Sequence, residues 1–166
     1  AAYGSVALGQ YNQVGYKCAV MGDSNRAKYY GYAIGANCNA CDYSLAIGTY
    51  SNALYNKTVA VGHGANAKGG TYASSFGYAS NALAGCALAM GYNSYARMPH
   101  AIAVGGDAQE EESLAVGTYA NAYGKCSAAL TPHTYAIGEN SVCVGYAAET
   151  NAKNAMAIGY RTKIGN

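Results

Sequence analysis

The residues of this chain that could carry out chemistry are its six cysteines, its three histidines and one run of acidic residues. A disulfide or a metal site needs these ligands in pairs or clusters. Cys38 and Cys41 form a C-x-x-C, but an odd offset in an extended strand points two side chains to opposite faces. Cys86 and Cys126 lie forty residues apart. We therefore predict six free thiols, no metal site and no redox site.

The histidines and acidic residues do not form a catalytic arrangement either. His63, His100 and His133 lie far apart, and prolines precede the last two, which indicates solvated turns. The run 110–112 is three consecutive glutamates, which is typical of a solvated rim. Nothing places a nucleophile, a base and an orienting group together. The sequence predicts a protein that is not an enzyme, with no cofactor and no concave pocket of ordinary size.

Composition narrows the class of protein further. The chain is 51% hydrophobic, yet Gly (22) and Tyr (18) are abundant, while Leu, Ile, Val and Phe are sparse, so a conventional core is excluded. A net charge of +2 gives no electrostatic footprint for nucleic acid or anionic lipid. No apolar run is long enough to insert this segment into a membrane. We expect the chain to be a segment of a longer protein.

A five-residue pattern recurs along the whole chain: a small residue, an apolar residue, Ala, an apolar residue and Gly. The closing residue, which we call the anchor, recurs every 12 to 15 residues and most often every 14. The anchors are Gly9, Gly22, Gly35, Gly48, Gly62, Gly77, Gly91, Gly105, Gly117, Thr131, Gly145 and Gly159. A periodicity of this length is the signature of a solenoid.

Each repeat unit is predicted to be a pair of short strands. Frequent glycines and an apolar period of two exclude helices, and fourteen residues accommodate two strands with two glycine-containing turns. Stacking identical units in parallel gives an all-β, two-sided parallel β-roll of about twelve coils. The sequence thus predicts one domain over residues 1–166, a rod roughly 55–60 Å long.

The first strand of each unit is apolar on both faces, because a large residue precedes the anchor and a small one precedes that. Both faces must be buried, so several copies of the chain are expected to meet around an axis, most simply as a homotrimer. The large residues, predicted to form the core of the trimer or of the roll, are Leu8, Met21, Ile34, Ile47, Val61, Phe76, Met90, Val104, Val116, Leu130, Val144 and Ile158.

The second strand should alternate small residues with solvent-facing ones. The predicted solvent-facing column is Gln13, Arg26, Asn39, Asn52, Asn66, Asn81, Gln109, Asn121, Glu149 and Lys163. Unit eight is shortened, and Glu110 is assigned there to a position that is usually Ala.

Two columns are candidate ligand-binding surfaces. Asn39, Asn52, Asn66 and Asn81 share one position in successive coils, which indicates either an amide ladder or a recognition surface. The tyrosines that follow an anchor, Tyr78 with Tyr92 and Tyr146 with Tyr160, are predicted to be exposed pairs at a turn. Tyrosine suits recognition of a protein or glycan, although stacked rings also stabilise solenoids.

These phased repeats, such as Ser44-Leu45-Ala46-Ile47-Gly48, resemble the head repeats of YadA-like trimeric autotransporter adhesins. The resemblance implies a left-handed parallel β-roll, a homotrimer, and a head on the bacterial outer-membrane surface that attaches to a host surface protein or glycan receptor. Some bacteriophage tail-fibre segments look similar, so a receptor-binding fibre on a virion is the alternative.

Overall fold

The computed structural model describes residues 3–165, and its regular structure there consists of β-strands alone. Within that range no helix is long and apolar enough to cross a membrane. The strands form two parallel sheets of twelve strands each. This confirms the all-β parallel solenoid.

The first sheet holds the strands that carry the repeated pattern. They are β1 (Val6–Gln10), β3 (Ala19–Asp23), β5 (Tyr32–Ala36), β7 (Leu45–Thr49), β9 (Val59–Val61), β11 (Ser74–Phe76), β13 (Leu88–Met90), β15 (Ile102–Val104), β17 (Leu114–Val116), β19 (Ala128–Leu130), β21 (Val142–Val144) and β23 (Met156–Ile158).

The second sheet holds the shorter strands between them. They are β2 (Gln13–Val14), β4 (Arg26–Ala27), β6 (Asn39–Ala40), β8 (Asn52–Ala53), β10 (Asn66–Ala67), β12 (Asn81–Ala82), β14 (Tyr95–Ala96), β16 (Asp107–Ala108), β18 (Asn121–Ala122), β20 (Tyr135–Ala136), β22 (Glu149–Thr150) and β24 (Lys163–Ile164).

One strand from each sheet makes a coil, and we number the coils 1 to 12 along the chain. Within a coil, the first turn follows the anchor and leads to the second sheet, and the second turn leads on to the next coil. Equivalent residues pair between coils, as in Ala46 with Ala60 and Ile47 with Val61. The strand pair predicted for each repeat unit is therefore confirmed, and chemically equivalent residues form columns along the rod.

Small side chains fill the interior of the roll. Ala46, Ala60 and Ala89 from the first sheet, and Ala53 and Ala67 from the second, are fully buried. Val20 is the largest fully buried side chain among the described residues. The two sheets therefore lie close together, and the interior has room for Ala, Ser, Thr or Cys but not for a column of Leu or Phe.

The twelve large apolar residues that precede the anchors lie outside this interior. None of them belongs to the buried core, and at the rod ends Leu8 and Ile158 are more than half exposed. Strand alternation explains this, because the buried Ala and the large residue beside it point to opposite faces. Assigning them to the core of the roll was therefore wrong, and a core shared between chains remains the prediction for this face.

Coil 8 is shortened in its first turn. Gly106 follows the anchor Gly105 directly and is buried together with Ala108, so these two residues take the small inward positions. Asp107 lies between them in β16 and pairs with Asn121. The positions assigned from the sequence were therefore wrong in this coil. Asp107, not Gln109, belongs to the outward column, and Glu110 lies at the start of the exposed second turn and not in an Ala position.

Most anchors must be glycine because successive coils touch there. Gly35 has a φ of +134°, and a Cβ at this position would collide with the carbonyl group of Gly48 in the next coil. Thr131 is the exception, with a φ of +101°. Its hydroxyl oxygen accepts a hydrogen bond from the Gly145 N–H at 2.9 Å. At other junctions the anchor N–H donates instead to the carbonyl of the residue before the preceding anchor, as in Gly159 N–H to Val144 O.

We predict that Gly35→Ala lowers the free energy of unfolding by about 3 kcal/mol or more, because the new methyl group forces coils 3 and 4 apart at a positive φ. Gly85→Ala is the matched control. Its Cβ would meet no atom nearer than the Thr71 oxygen at 3.7 Å, so the change should stay within about 0.5 kcal/mol. Urea unfolding of both variants measures the difference, and equal losses would contradict the anchor argument.

Candidate functional site

A row of aromatic rings lines the first-turn edge of the rod. In its first half, Tyr50, His63, Tyr78 and Tyr92 follow one another, with Tyr78 and Tyr92 stacked at 5.4 Å between ring centroids. We call these rings and their continuation in later coils the aromatic row. Tyr78 and Tyr92 are 52% and 70% exposed. These stacked rings therefore turn their faces towards their neighbours and leave much of their remaining surface accessible to solvent.

The second half of the aromatic row consists of Tyr119, His133, Tyr146 and Tyr160. Tyr146 and Tyr160 stack at 6.0 Å with an interplanar angle of 14°. His133 lies 5.2 Å from both Tyr119 and Tyr146. The structure thus brings together both predicted tyrosine pairs. Ligand binding by these rings stays a prediction.

Two of the three histidines are part of this row, which the sequence analysis missed. His63 stacks on Tyr78 at 5.0 Å and 7°, and His133 joins two tyrosines. His63 directly follows its anchor, whereas His133 is the second residue after its anchor. The turn bends between these positions, so side chains of adjacent columns meet. His100 lies at an exposed second turn, with a φ of +61°.

The four asparagines of the second sheet form a hydrogen-bonded ladder. Asn39 donates to Asn52 at 2.9 Å, Asn52 to Asn66 at 3.0 Å, and Asn66 to Asn81 at 3.1 Å. The second amide hydrogens of Asn52 and Asn66 go to the backbone carbonyls of Tyr50 and Gly64. These two amides have no donor left for a ligand, so the ladder interpretation is the one that the contacts support. Ligand binding by this column stays a prediction.

Ion pairs join neighbouring coils outside the ladder. Arg97 contacts Asp107 with two bonds of 2.8 Å. Lys125 contacts Glu111 at 2.7 Å, and its hydrogen bond lowers the pKa of Glu111. Both side chains of this pair remain largely accessible to solvent, so the pair contributes little to stability.

The six cysteines are free thiols in the structure. Cys18, Cys38 and Cys143 fill buried positions where other coils have Ser, Ala or Thr, and burial raises the pKa of Cys143 to about 11. Cys86 and Cys126 are exposed, and a hydrogen bond to Glu112 raises the pKa of Cys126. Between residues 3 and 165 no group of three or more His, Cys, Asp or Glu side chains could hold a metal ion.

A second tyrosine cluster lies on the second-turn edge of the first four coils. Tyr16 stacks on Tyr29 at 5.1 Å, Tyr30 stacks on Tyr43 at 4.9 Å, and the Lys17 ammonium lies over two of these rings. The hydrogen bond to Tyr30 raises the pKa of Lys17. The sequence contained a signal for this cluster, because Tyr3, Tyr16 and Tyr29 recur every thirteen residues.

The shortened first turn of coil 8 leaves a notch in the first-turn edge, which is smaller than an ordinary ligand pocket. The notch has a volume of about 260 Å³. Tyr92 of coil 7 and Tyr119 of coil 9 flank it, Gly105 and Gly106 form its floor, and the Arg97–Asp107 pair lines one side. It separates the two halves of the aromatic row.

A parallel β-solenoid with a glycine-anchored repeat defines the class of this protein. The model of the YadA head domain repeat family matches the chain over residues 42–65, 87–108 and 136–162. No curated protein matches it. These matches support a YadA-like head domain between residues 42 and 162, and the family is a structural, adhesin-type family and not a family of enzymes.

We predict that Asn66→Ala is more destabilising than Asn121→Ala. Both side chains donate to the backbone of their own turn, but only Asn66 also bonds to two neighbouring amides. Losing those two bonds should cost about 1–2 kcal/mol beyond the loss in Asn121→Ala. Chemical unfolding gives both values. Equal losses would mean that the ladder adds no stability, and would reopen the column as a recognition surface.

Proposed function

We propose that this chain is a rigid segment of a homotrimeric, non-enzymatic surface adhesin. Three copies pack along a common axis, and their outer surface attaches to a host matrix protein, glycan or cell receptor. The segment is extracellular, on the outer-membrane surface of a bacterium. The match to the YadA head domain repeat family supports this function. The resemblance to YadA-like heads also implies that the β-roll is left-handed.

The single observation that supports the trimer is the apolar character of the outward face of the first sheet. We call this face the apolar strip; it consists of the large residue before each anchor and the residue two positions earlier. Those earlier residues are Val6, Ala19, Tyr32, Leu45, Val59, Ser74, Leu88, Ile102, Leu114, Ala128, Val142 and Met156.

The strip is continuous and exposed to solvent in the single chain. Val6, Met21 and Met156 are each at least half exposed, and Ile47 and Val116 in the middle are partly exposed. It covers on the order of 500 Å² at the ~4.8 Å rise of each coil, which matches the largest apolar patches of ordinary monomers. Its size alone does not distinguish it from such patches, but its extension along the whole rod, on a chain whose interior holds almost no large side chain, supports an interface.

Cyclic symmetry buries the same strip on every copy and leaves the rest of the chain outside. The aromatic row and the second sheet then face solvent three times around the rod. Three weak contacts to one surface act together, so attachment does not require a deep pocket. This arrangement supports adhesion by a repeated outer surface.

A phage tail-fibre segment is the second candidate. The exposed free thiols Cys86 and Cys126 favour it, because exposed thiols suit assembly in a reducing compartment. The genomic context distinguishes the two candidates. An outer-membrane anchor encoded in the same reading frame identifies an adhesin, and neighbouring baseplate genes identify a tail fibre.

We predict that replacing Tyr146 and Tyr160 together by Ala reduces attachment of the trimer to host cells or matrix by about tenfold. Both rings are exposed and stack on each other, so their removal takes away a recognition surface without opening the core. Attachment is measured by binding of labelled protein to host cells.

Tyr55→Ala with Tyr72→Ala is the matched control, since these two tyrosines are similarly exposed on the opposite edge. This variant should attach like the unmodified protein. If the Tyr146 and Tyr160 variant also attaches normally, these rings are not the recognition site. If the unmodified trimer binds no host surface, the adhesin function itself is wrong.

A further inference from the structure

The notch in coil 8 is the place where one repeated element is missing from an otherwise regular edge. In coil 7 the residues Tyr92 and Asn93 lie between the anchor and the first inward residue, and in coil 9 Thr118 and Tyr119 do so. Coil 8 has no such pair, because buried Gly106 follows Gly105 directly. The gap therefore has the dimensions of a dipeptide.

The missing pair leaves two backbone groups without their usual partners. Elsewhere in residues 3–165, successive coils are joined by a hydrogen bond at the first turn. The donor is the N–H of the second residue after an anchor, and the acceptor is the carbonyl of the first residue after the anchor of the preceding coil. Examples are Asn93 N–H to Tyr78 O at 3.0 Å and His133 N–H to Thr118 O at 3.1 Å. In that same range, neither the Tyr92 carbonyl oxygen nor the Tyr119 N–H forms a backbone hydrogen bond.

A single trans peptide group would satisfy both. In a complete coil, the carbonyl oxygen that accepts from the following coil and the N–H that donates to the preceding coil belong to the same peptide unit. The peptide groups of Tyr92 in coil 7 and Tyr119 in coil 9 are separated by two coil rises, about 10 Å, so a peptide group at the level of coil 8 would lie one rise from each. That separation accommodates one peptide group between two hydrogen bonds.

A ring is missing at the same place. Where the aromatic row is continuous, successive centroids lie 5.0 to 6.1 Å apart, as from Tyr50 through Tyr92. The row stops at Tyr92 and resumes at Tyr119. A ring that entered the notch would lie about one coil rise from each neighbour, which is a normal stacking distance.

The charged side chains beside the notch do not select a charged ligand. Arg97 and Asp107 neutralise each other through two hydrogen bonds, and Arg97 also lies over the Tyr95 ring at 4.7 Å. The side that they form is therefore polar but without net charge. A neutral peptide group carrying an aromatic side chain fits this environment.

We infer that the notch binds an aromatic residue on an exposed segment of a partner protein. The partner's ring enters the break in the aromatic row. Its own carbonyl oxygen accepts from the Tyr119 N–H, and the N–H of the next residue donates to the Tyr92 carbonyl oxygen. The partner thereby completes coil 8. As a contact used in attachment, this rests on the proposed adhesive function, whereas the binding itself does not.

The test uses the assembled protein and the probe N-acetyl-tyrosine N-methylamide, which contains the ring and this peptide group. In ¹⁵N-labelled protein the probe should shift the Tyr119 amide resonance, with a Kd on the order of 1 mM, as suits so small a ligand. N-acetyl-alanine N-methylamide, which lacks the ring, should bind at least about fivefold more weakly. Methyl glucoside should cause no shift.

Two variants keep the inference falsifiable. Insertion of Tyr and Asn between Gly105 and Gly106 restores the pattern of coil 7; it should abolish probe binding and raise the melting temperature, because it pairs both free backbone groups. Tyr92→Ala should weaken binding about fivefold, and Tyr160→Ala, which removes a similarly exposed ring far from the notch, should not change it.

Several results would overturn the inference: no shift of the Tyr119 amide, binding of the glycoside in place of the peptide, or unchanged binding in the insertion variant. Loss of the oligomer in the insertion variant would show that another copy of this chain fills the notch, which also contradicts it. If the probe fails to bind while cells still attach, the inference fails and the adhesin function stands. If the probe binds but no host surface does, the adhesin function fails alone.

Discussion

The thin interior of the roll is the constraint on which the rest of this structure depends. Two sheets that meet through Ala, Ser and Cys side chains have no room for anything larger than Val20. Every large apolar residue of the repeat must therefore point outward. In a conventional domain these residues would form the core; here they form a strip along the outside of a chain that has almost no large side chains inside.

The same constraint explains the glycine anchors and the flat edges. Closely spaced coils bring the anchor of one coil against the carbonyl group of the next, so Gly35 cannot carry a side chain. Regular stacking then converts any repeated residue into a column. Amides become a ladder and tyrosines become a row, and a two-residue deletion becomes a notch with defined polar groups. The surface chemistry of this protein is thus a consequence of its period.

Much of the fold could be predicted from the sequence because the period is encoded in every repeat. The strand pairs, the parallel stacking and the ladder of Asn39 to Asn81 follow from counting positions after each anchor. The position of the strip relative to the interior did not follow, since alternation shows only that Ala46 and Ile47 face opposite sides. Which side is inside depends on how closely the sheets approach.

Coil 8 shows where counting fails. Positions were counted forward from Gly105 as though its first turn were complete, which displaced Asp107 and Glu110 in the assignment. The glycine immediately after the anchor was the available signal, because it can occupy a small inward position without the usual two turn residues. The contacts of His63 and His133 were missed for a related reason, since a turn brings adjacent columns together in a way that column counting does not describe.

Sedimentation equilibrium of the chain at micromolar concentration tests the central claim most directly, namely that the apolar strip is an interface between three copies. The account predicts a mass of three times 17.0 kDa, about 51 kDa. It also predicts that Ile47→Lys, on the strip, dissociates the assembly, whereas Asn121→Lys, on the outward face of the second sheet, does not. A folded species of 17.0 kDa, with the strip exposed to water, would contradict the account.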